Sequence, residues 1–126
     1  MGTQDPDADR RRDHDRSSSA HFDPLSALER LPGAEGARFA RLFARGTLKI
    51  EIYAPRGHDA QQPHARDELY FVIQGSGTFF DGACRRLFGP GDLLFVAAGV
   101  EHRFEAFSDD LAVWVIFYGP EGGEKA

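Results

Sequence analysis

Residues 57–75 read GHDAQQPHARDELYFVIQG. A polar, turn-rich opening with Gly57, Asp59 and Pro63 leads through His64 and Glu68 into the apolar run Leu69 to Ile73, which Gly75 closes. The polar residues thin out where a strand begins. Gln62, His64 and Glu68 have the same parity, so in an extended segment their side chains point to one face. An amide oxygen, an imidazole and a carboxylate converging at the mouth of a strand make half of a site for a divalent ion.

Outward from this stretch the chain reads as strands. Leu48, Ile50 and Ile52 alternate with Lys49, Glu51 and Tyr53, the mark of a two-faced strand over 47–53. Phe39 to Phe43 precedes it, parted by Gly46. Thr78 to Phe80, Leu93 to Ala97, His102 to Phe107 and Leu111 to Tyr118 follow Gly75, with turns at Asp81-Gly82, Gly89 to Asp92 and Ser108 to Asp110. Before the strands, Asp23 is suited to cap a helix, Pro24 fits its first position and Pro32-Gly33 stops it, which predicts a helix over Pro24 to Leu31. Short strands at regular spacing and a single short N-terminal helix predict an all-β sandwich or barrel. Leu69 to Ile73 and Leu111 to Phe117 carry apolar residues on both faces, so both strands are expected to be covered on two sides. A second copy of the chain is the expected cover for the outer one.

The composition limits the rest. A chain of 126 residues has room for one domain. Its net charge of −5 argues against a nucleic-acid surface, and no stretch approaches the roughly 18 apolar residues of a membrane span. Cys84 is the only cysteine, so no internal disulfide forms. Residues 1–21 hold almost no large apolar side chain. Five aspartates interleave there with four arginines, including the run Arg10, Arg11, Arg12, so a disordered, nearly neutral tail is expected, with no role for His14 or His21. A single domain over 22–120 and a flexible end over 121–126 complete the division. No apolar leader is readable, and a cytoplasmic location follows by default.

A second half-site lies in GDLLFVAAGVEH, residues 91–102: a turn, a strand, a tight turn at Gly99 and then His102. Together the two units resemble the cupin superfamily, specifically its small single-domain, cupin-2 type. The first motif of that family is matched by Gly57, Gln62-Pro63-His64, Glu68 and Gly75, and the second by Gly91, Ala97-Ala98-Gly99, His102 and Ala106. Three positions depart from the pattern: Gln62 stands for a histidine, Ala97 for a proline and Ala106 for an asparagine. The resemblance covers roughly residues 47–118. It implies a double-stranded β-helix, or jelly roll, with the motif residues meeting in a central pocket.

What the resemblance implies for the site stays open among three arrangements. A divalent transition metal (Fe, Mn, Ni or Zn) is held by Gln62, His64, Glu68 and His102, or by His64, Glu68 and His102 without Gln62. In the third, the same residues bind a ligand without metal. His58, six residues before His64, is an outside candidate. By parity Tyr70 and Val72 share the face of Glu68, and Phe104 that of His102. Tyr70, Phe104, Trp114 and Tyr53 are the expected substrate-facing aromatics, with Phe95 a further one. Arg66, Arg85, Arg86 and Arg103 fall in loops or on the opposite parity, so the interior is expected to be short of cations and its small-molecule substrate neutral or aromatic. Two function classes follow. One is a metal-dependent enzyme of dioxygenase, isomerase or lyase type, with Glu68 as ligand or base. The other is a non-catalytic module that binds or senses a small molecule. Regulators of that kind often carry a DNA-binding helix-turn-helix, for which the residues before Pro24 leave no room. A homodimer is expected, with neither nucleic acid nor membrane as partner.

Overall fold

The computed structural model describes residues 18–126. Arg10, Arg11, Arg12, His14 and the rest of the expected tail up to residue 17 lie outside them. Helix α1, Pro24–Leu28, starts where expected: Asp23 caps it, accepting from the Ser26 N–H at 2.9 Å. It is shorter than predicted. The N–H groups of Arg30 and Leu31 turn back to the carbonyls of Ala27 and Leu28, so the chain tightens into a turn ahead of Pro32.

Eight strands follow a short 3-10 turn at Ala34–Gly36: β1 Phe39–Arg45, β2 Leu48–Tyr53, β3 Asp67–Gln74, β4 Gly77–Phe80, β5 Arg85–Phe88, β6 Leu93–Val96, β7 Arg103–Glu105 and β8 Ala112–Tyr118. They form a five-stranded sheet in the order β1-β2-β8-β3-β6 and a three-stranded sheet in the order β5-β4-β7. Described pairings are antiparallel, and the two sheets face each other as a jelly roll. β5 escaped the sequence reading because Arg85, Arg86 and Leu87 are exposed and Phe88 alone is buried. Its register against β4, with Phe88 opposite Gly77, makes it a strand all the same.

The interior between the sheets is filled by Tyr70, Val72, Phe79, Phe88, Phe104 and Val113, among others. Each side chain of this size contributes about 1.5–3 kcal/mol by leaving water. A second cluster lies on the far side of the large sheet, where Ala27, Leu42 and Ile52 are buried with Trp114, Ile50 and Ile73 packed against them. Helix α1 therefore covers the outer face of β2 and β8, and the alternating strand β2 turns Lys49, Glu51 and Tyr53 to the inner side.

Two devices join the halves of the barrel. The Gly99 N–H donates to the His64 carbonyl at 2.7 Å, stitching the second motif to the first. Gly75 has φ 90°, and a Cβ there would fall 2.6 Å from Leu111 Cα, so only glycine lets the end of β3 pass the start of β8. The C-terminal segment, expected as a flexible end over 121–126, makes hydrogen bonds to the loop and strand around β3. The Gly122 N–H donates to the Ala65 carbonyl, and the Glu124 N–H donates to Asp67 Oδ2 at 2.9 Å. The buried Asp67 also accepts from the Ala98 N–H at 3.0 Å, so one carboxylate anchors both the tail and the turn before His102. Among the described residues no helix is long and apolar enough to cross a membrane.

Candidate metal centre

β3 lies between β8 and β6, with Glu68 opposite Phe117 on one side and Val96 on the other. The alternation along β3 aims Glu68, Tyr70 and Val72 into the barrel, where all three are buried. His102 immediately precedes β7 of the other sheet and is buried as well; His64, on the loop leading to β3, is half-buried with its ring 4.8 Å from that of Phe117. His102 Nε2 lies 3.2 Å from Glu68 Oε1, and His64 Nε2 lies 3.9 Å from the same oxygen. One ligand atom from each of the three residues falls within 4.8 Å of the others.

The protons at this site are set by its neighbours. His102 Nδ1 is 2.8 Å from the Val100 carbonyl, which accepts only, so Nδ1 carries the proton and the neutral ring turns a lone pair inward at Nε2. The Tyr70 hydroxyl donates to Gln61 Oε1 at 2.8 Å, and its oxygen lies 3.0 Å from His102 Nε2. Neither oxygen of Glu68 has a hydrogen-bond donor when His102 is neutral. The 3.2 Å contact becomes a hydrogen bond only if His102 takes a second proton and becomes imidazolium. Burial opposes that charge, but the Glu68 carboxylate and the Val100 carbonyl outweigh it and raise the His102 pKa above the ordinary imidazole value. A buried carboxylate without a donor, facing the His102 lone pair and with the His64 ring nitrogen 3.9 Å away, is placed to share a cation, whether proton or metal. Two nitrogens and a carboxylate oxygen are the donor set that borderline divalent ions take, so the residues fit the group.

Gln62, expected beside His64, is exposed, and it is Gln61 that reaches the site. Residues 59–64 are not strand, so the parity that joined Gln62 to His64 and Glu68 does not operate there. Gln61 Oε1 lies 3.4 Å from His64 Nε2 as well as accepting from Tyr70. Its amide nitrogen donates to Asp59 Oδ2 at 2.9 Å, and the same carboxylate accepts from the Phe104 N–H at 2.9 Å and from the Tyr53 hydroxyl at 2.5 Å. Asp59 thus pins the loop to β7 and fixes which end of the Gln61 amide faces the site. Burial and the Asp59 carboxylate together keep the Tyr53 phenol protonated far beyond its usual range.

The aromatic expectations divide. Tyr70 reaches the site with its hydroxyl, and Tyr53 lines the adjoining pocket. Phe104 is core, packed beneath Tyr70 at 5.0 Å and against Phe88 at 5.3 Å. Trp114 lies on the outer face with the α1 cluster and does not line the adjoining pocket, and Phe95 is more than half exposed on the outside. His58 and Cys84 are exposed. The pocket has a volume of about 440 Å3 and is lined by His64, Gln61, Tyr53, Val115 and Phe117, together with residues of β1 and β2. Arg41, Lys49 and Arg66 also line it, so the expected shortage of cations is not found. Arg66 stands in a loop, as read from the sequence, but that loop forms the pocket wall.

The family model described as cupin domain matches residues 49–118. An uncharacterized protein of Streptomyces coelicolor is 33% identical over 99 residues, covering 77% of this chain and 94% of its own length. Acireductone dioxygenase 1 of Pectobacterium atrosepticum is 35% identical over 102 residues, which are 75% of this chain but only 58% of that protein. Among solved structures, a cupin 2 conserved barrel domain protein from Salinispora arenicola superposes with a TM-score of 0.59 at 16% identity, over 80% of this chain and 90% of the other, a likeness of fold.

Proposed function

The chain belongs to the cupin family, and on that premise we propose that it is a metal-dependent enzyme of the oxygenase type. One divalent transition ion is held by His64, Glu68 and His102, and a small molecule reacts in the adjoining pocket. The observation that carries this reading is the Glu68 carboxylate, buried without a hydrogen-bond donor and facing two imidazole nitrogens at the edge of an open pocket. A bound ion would supply Lewis-acid polarisation or, if iron, the activation of dioxygen. The chain's own part is to hold and shield. The His102 Nδ1–H bond to Val100 keeps Nε2 free for the ion, and Val115 and Phe117 give the adjoining pocket an apolar wall. Tyr70 holds a proton between Gln61 Oε1 and His102 Nε2, within reach of a polar atom at the centre. The similarity to a protein named as a dioxygenase supports oxygenase over isomerase or lyase chemistry.

The proposal extends to a cytoplasmic homodimer. The outer face of β3 and β6 carries Phe71, Leu93 and Phe95, which are 42%, 62% and 56% exposed, with Phe71 opposite Leu93 in register. Apolar surface of this kind favours pairing with a second copy.

Loading the metal-stripped protein anaerobically with Fe(II), Mn, Ni or Zn, then following oxygen uptake with a panel of small molecules, tests the enzyme reading. Substrate-dependent uptake with Fe(II), lost in Glu68→Gln, is expected. Ligand binding with no turnover under any of the four metals would make the chain a binding module instead.

A further inference from the structure

The pocket beside the metal centre has a charge opposite to that of the chain. The sequence carries a net charge of −5, yet Arg41, Lys49 and Arg66 line the pocket against a single carboxylate, Glu51. β2 turns Lys49, Glu51 and Tyr53 to one side, with Lys49 opposite Phe117 and Glu51 opposite Val115 on β8. β1 brings Arg41 opposite Glu51. Arg66 enters from the His64 loop, its guanidinium fixed by Nε donation to the Gly119 carbonyl at 3.0 Å.

Glu51 offsets only one of these three positive charges. It faces Arg41 at 3.9 Å, a long contact whose arginine is half exposed. Burial raises the Glu51 pKa, and Arg41 partly offsets that rise. Cations beside a partly enclosed apolar cavity raise the local concentration of anions and hold them more strongly than in open water.

We propose that the pocket selects a small organic acid, whose carboxylate rests among Lys49, Arg41 and Arg66 while its apolar body lies against Tyr53, Val115 and Phe117. The inference rests on the metal-dependent reading of the same pocket and adds the class of molecule it takes. It replaces the expectation of a neutral substrate, which assumed an interior without cations.

The test compares 3-phenylpropionate with its uncharged amide, 3-phenylpropionamide, by calorimetric titration of the metal-stripped protein, where no ion can bind the carboxylate. The acid is expected to bind about tenfold more tightly than the amide and to weaken with added salt, as the amide does not. Lys49→Gln should lose about tenfold for the acid with the amide unchanged, and Glu51→Gln should strengthen acid binding. Unaltered melting temperatures establish that the variants are folded; Arg41→Gln serves in place of Lys49→Gln if that variant is not. Equal affinities for acid and amide, a preference that survives Lys49→Gln and Arg41→Gln together, or no binding of either probe at millimolar concentration overturns the proposal. Metal content of the same preparations before stripping separates the two readings. Failed selectivity in protein that holds metal removes only the organic-acid assignment. Acid selectivity in protein that holds none removes only the metal-dependent enzyme.

Discussion

The Tyr70 hydroxyl donates to Gln61 Oε1 across 2.8 Å, so the side chain next to Gln62, and not Gln62 itself, completes the polar face of the site. Gln61 is held at both ends, by Asp59 at its amide nitrogen and by Tyr70 at its oxygen, while Gln62 is exposed. Gln61→Ala should therefore weaken metal affinity by about tenfold, the lower end of what removing an orienting neighbour does. Gln62→Ala should leave affinity and melting temperature near those of the parent, within about 0.5 kcal/mol. Titration of the three proteins with Zn checks both statements. An effect of Gln62→Ala larger than that of Gln61→Ala would contradict the placement.

The His102 pKa bears on stability without metal. Burial acts against its charge, but Glu68 and Val100 raise its folded value above the ordinary 6.5. A raised value means that the folded state binds this proton more tightly than the unfolded chain. The contribution is full below the ordinary value and is lost as pH rises through the folded one. The melting temperature of the metal-stripped protein, relative to that of His102→Gln, should fall as pH rises above the ordinary imidazole value of 6.5. With metal bound the trend should reverse, since protons compete with the ion for Nε2. Thermal melts of both proteins on either side of that value read the difference.

Ala106 has φ 46°, a left-handed conformation at a residue with a Cβ, at the position where the second family motif has asparagine. Asparagine enters this region at lower cost than alanine, because its side chain bonds locally to the backbone. Ala106→Asn should raise stability by roughly 0.5–1 kcal/mol, measured by urea unfolding with the slope unchanged.

What the sequence made legible follows the regular strands. Glu68, Tyr70 and Val72 do share an inward face, because a two-residue period holds wherever backbone is extended; His102 was legible through the resemblance of residues 91–102 to the second family motif. The same rule misplaced Gln62, since residues 59–64 leave the strand geometry and one residue of slip exchanges neighbouring side chains. β2 shows another limit. Its alternation marks two faces, but which one meets the pocket depends on α1 covering Ile52 and Trp114 from outside. That cover is a tertiary contact with no local signal. Lys49 and Glu51 therefore read only as the polar face of a half-buried strand, and Trp114 as a pocket aromatic.

The outer face of β3 and β6 bears on assembly. Light scattering at micromolar concentration should give about twice the 14.0 kDa of one chain. The double substitution Phe71→Lys with Phe95→Lys should return the monomer, since two desolvated charges would oppose pairing. A parent that scatters as a monomer would remove the dimer.

The central claim is that His64, Glu68 and His102 hold one ion together. Elemental analysis of the purified protein, after equilibration with a divalent transition metal and removal of the excess, tests it most directly. The account predicts about one equivalent per chain for the parent and almost none for His64→Ala, His102→Ala and Glu68→Gln, each retaining the circular dichroism of a β protein. Retention of a full equivalent by His102→Ala and Glu68→Gln would contradict it.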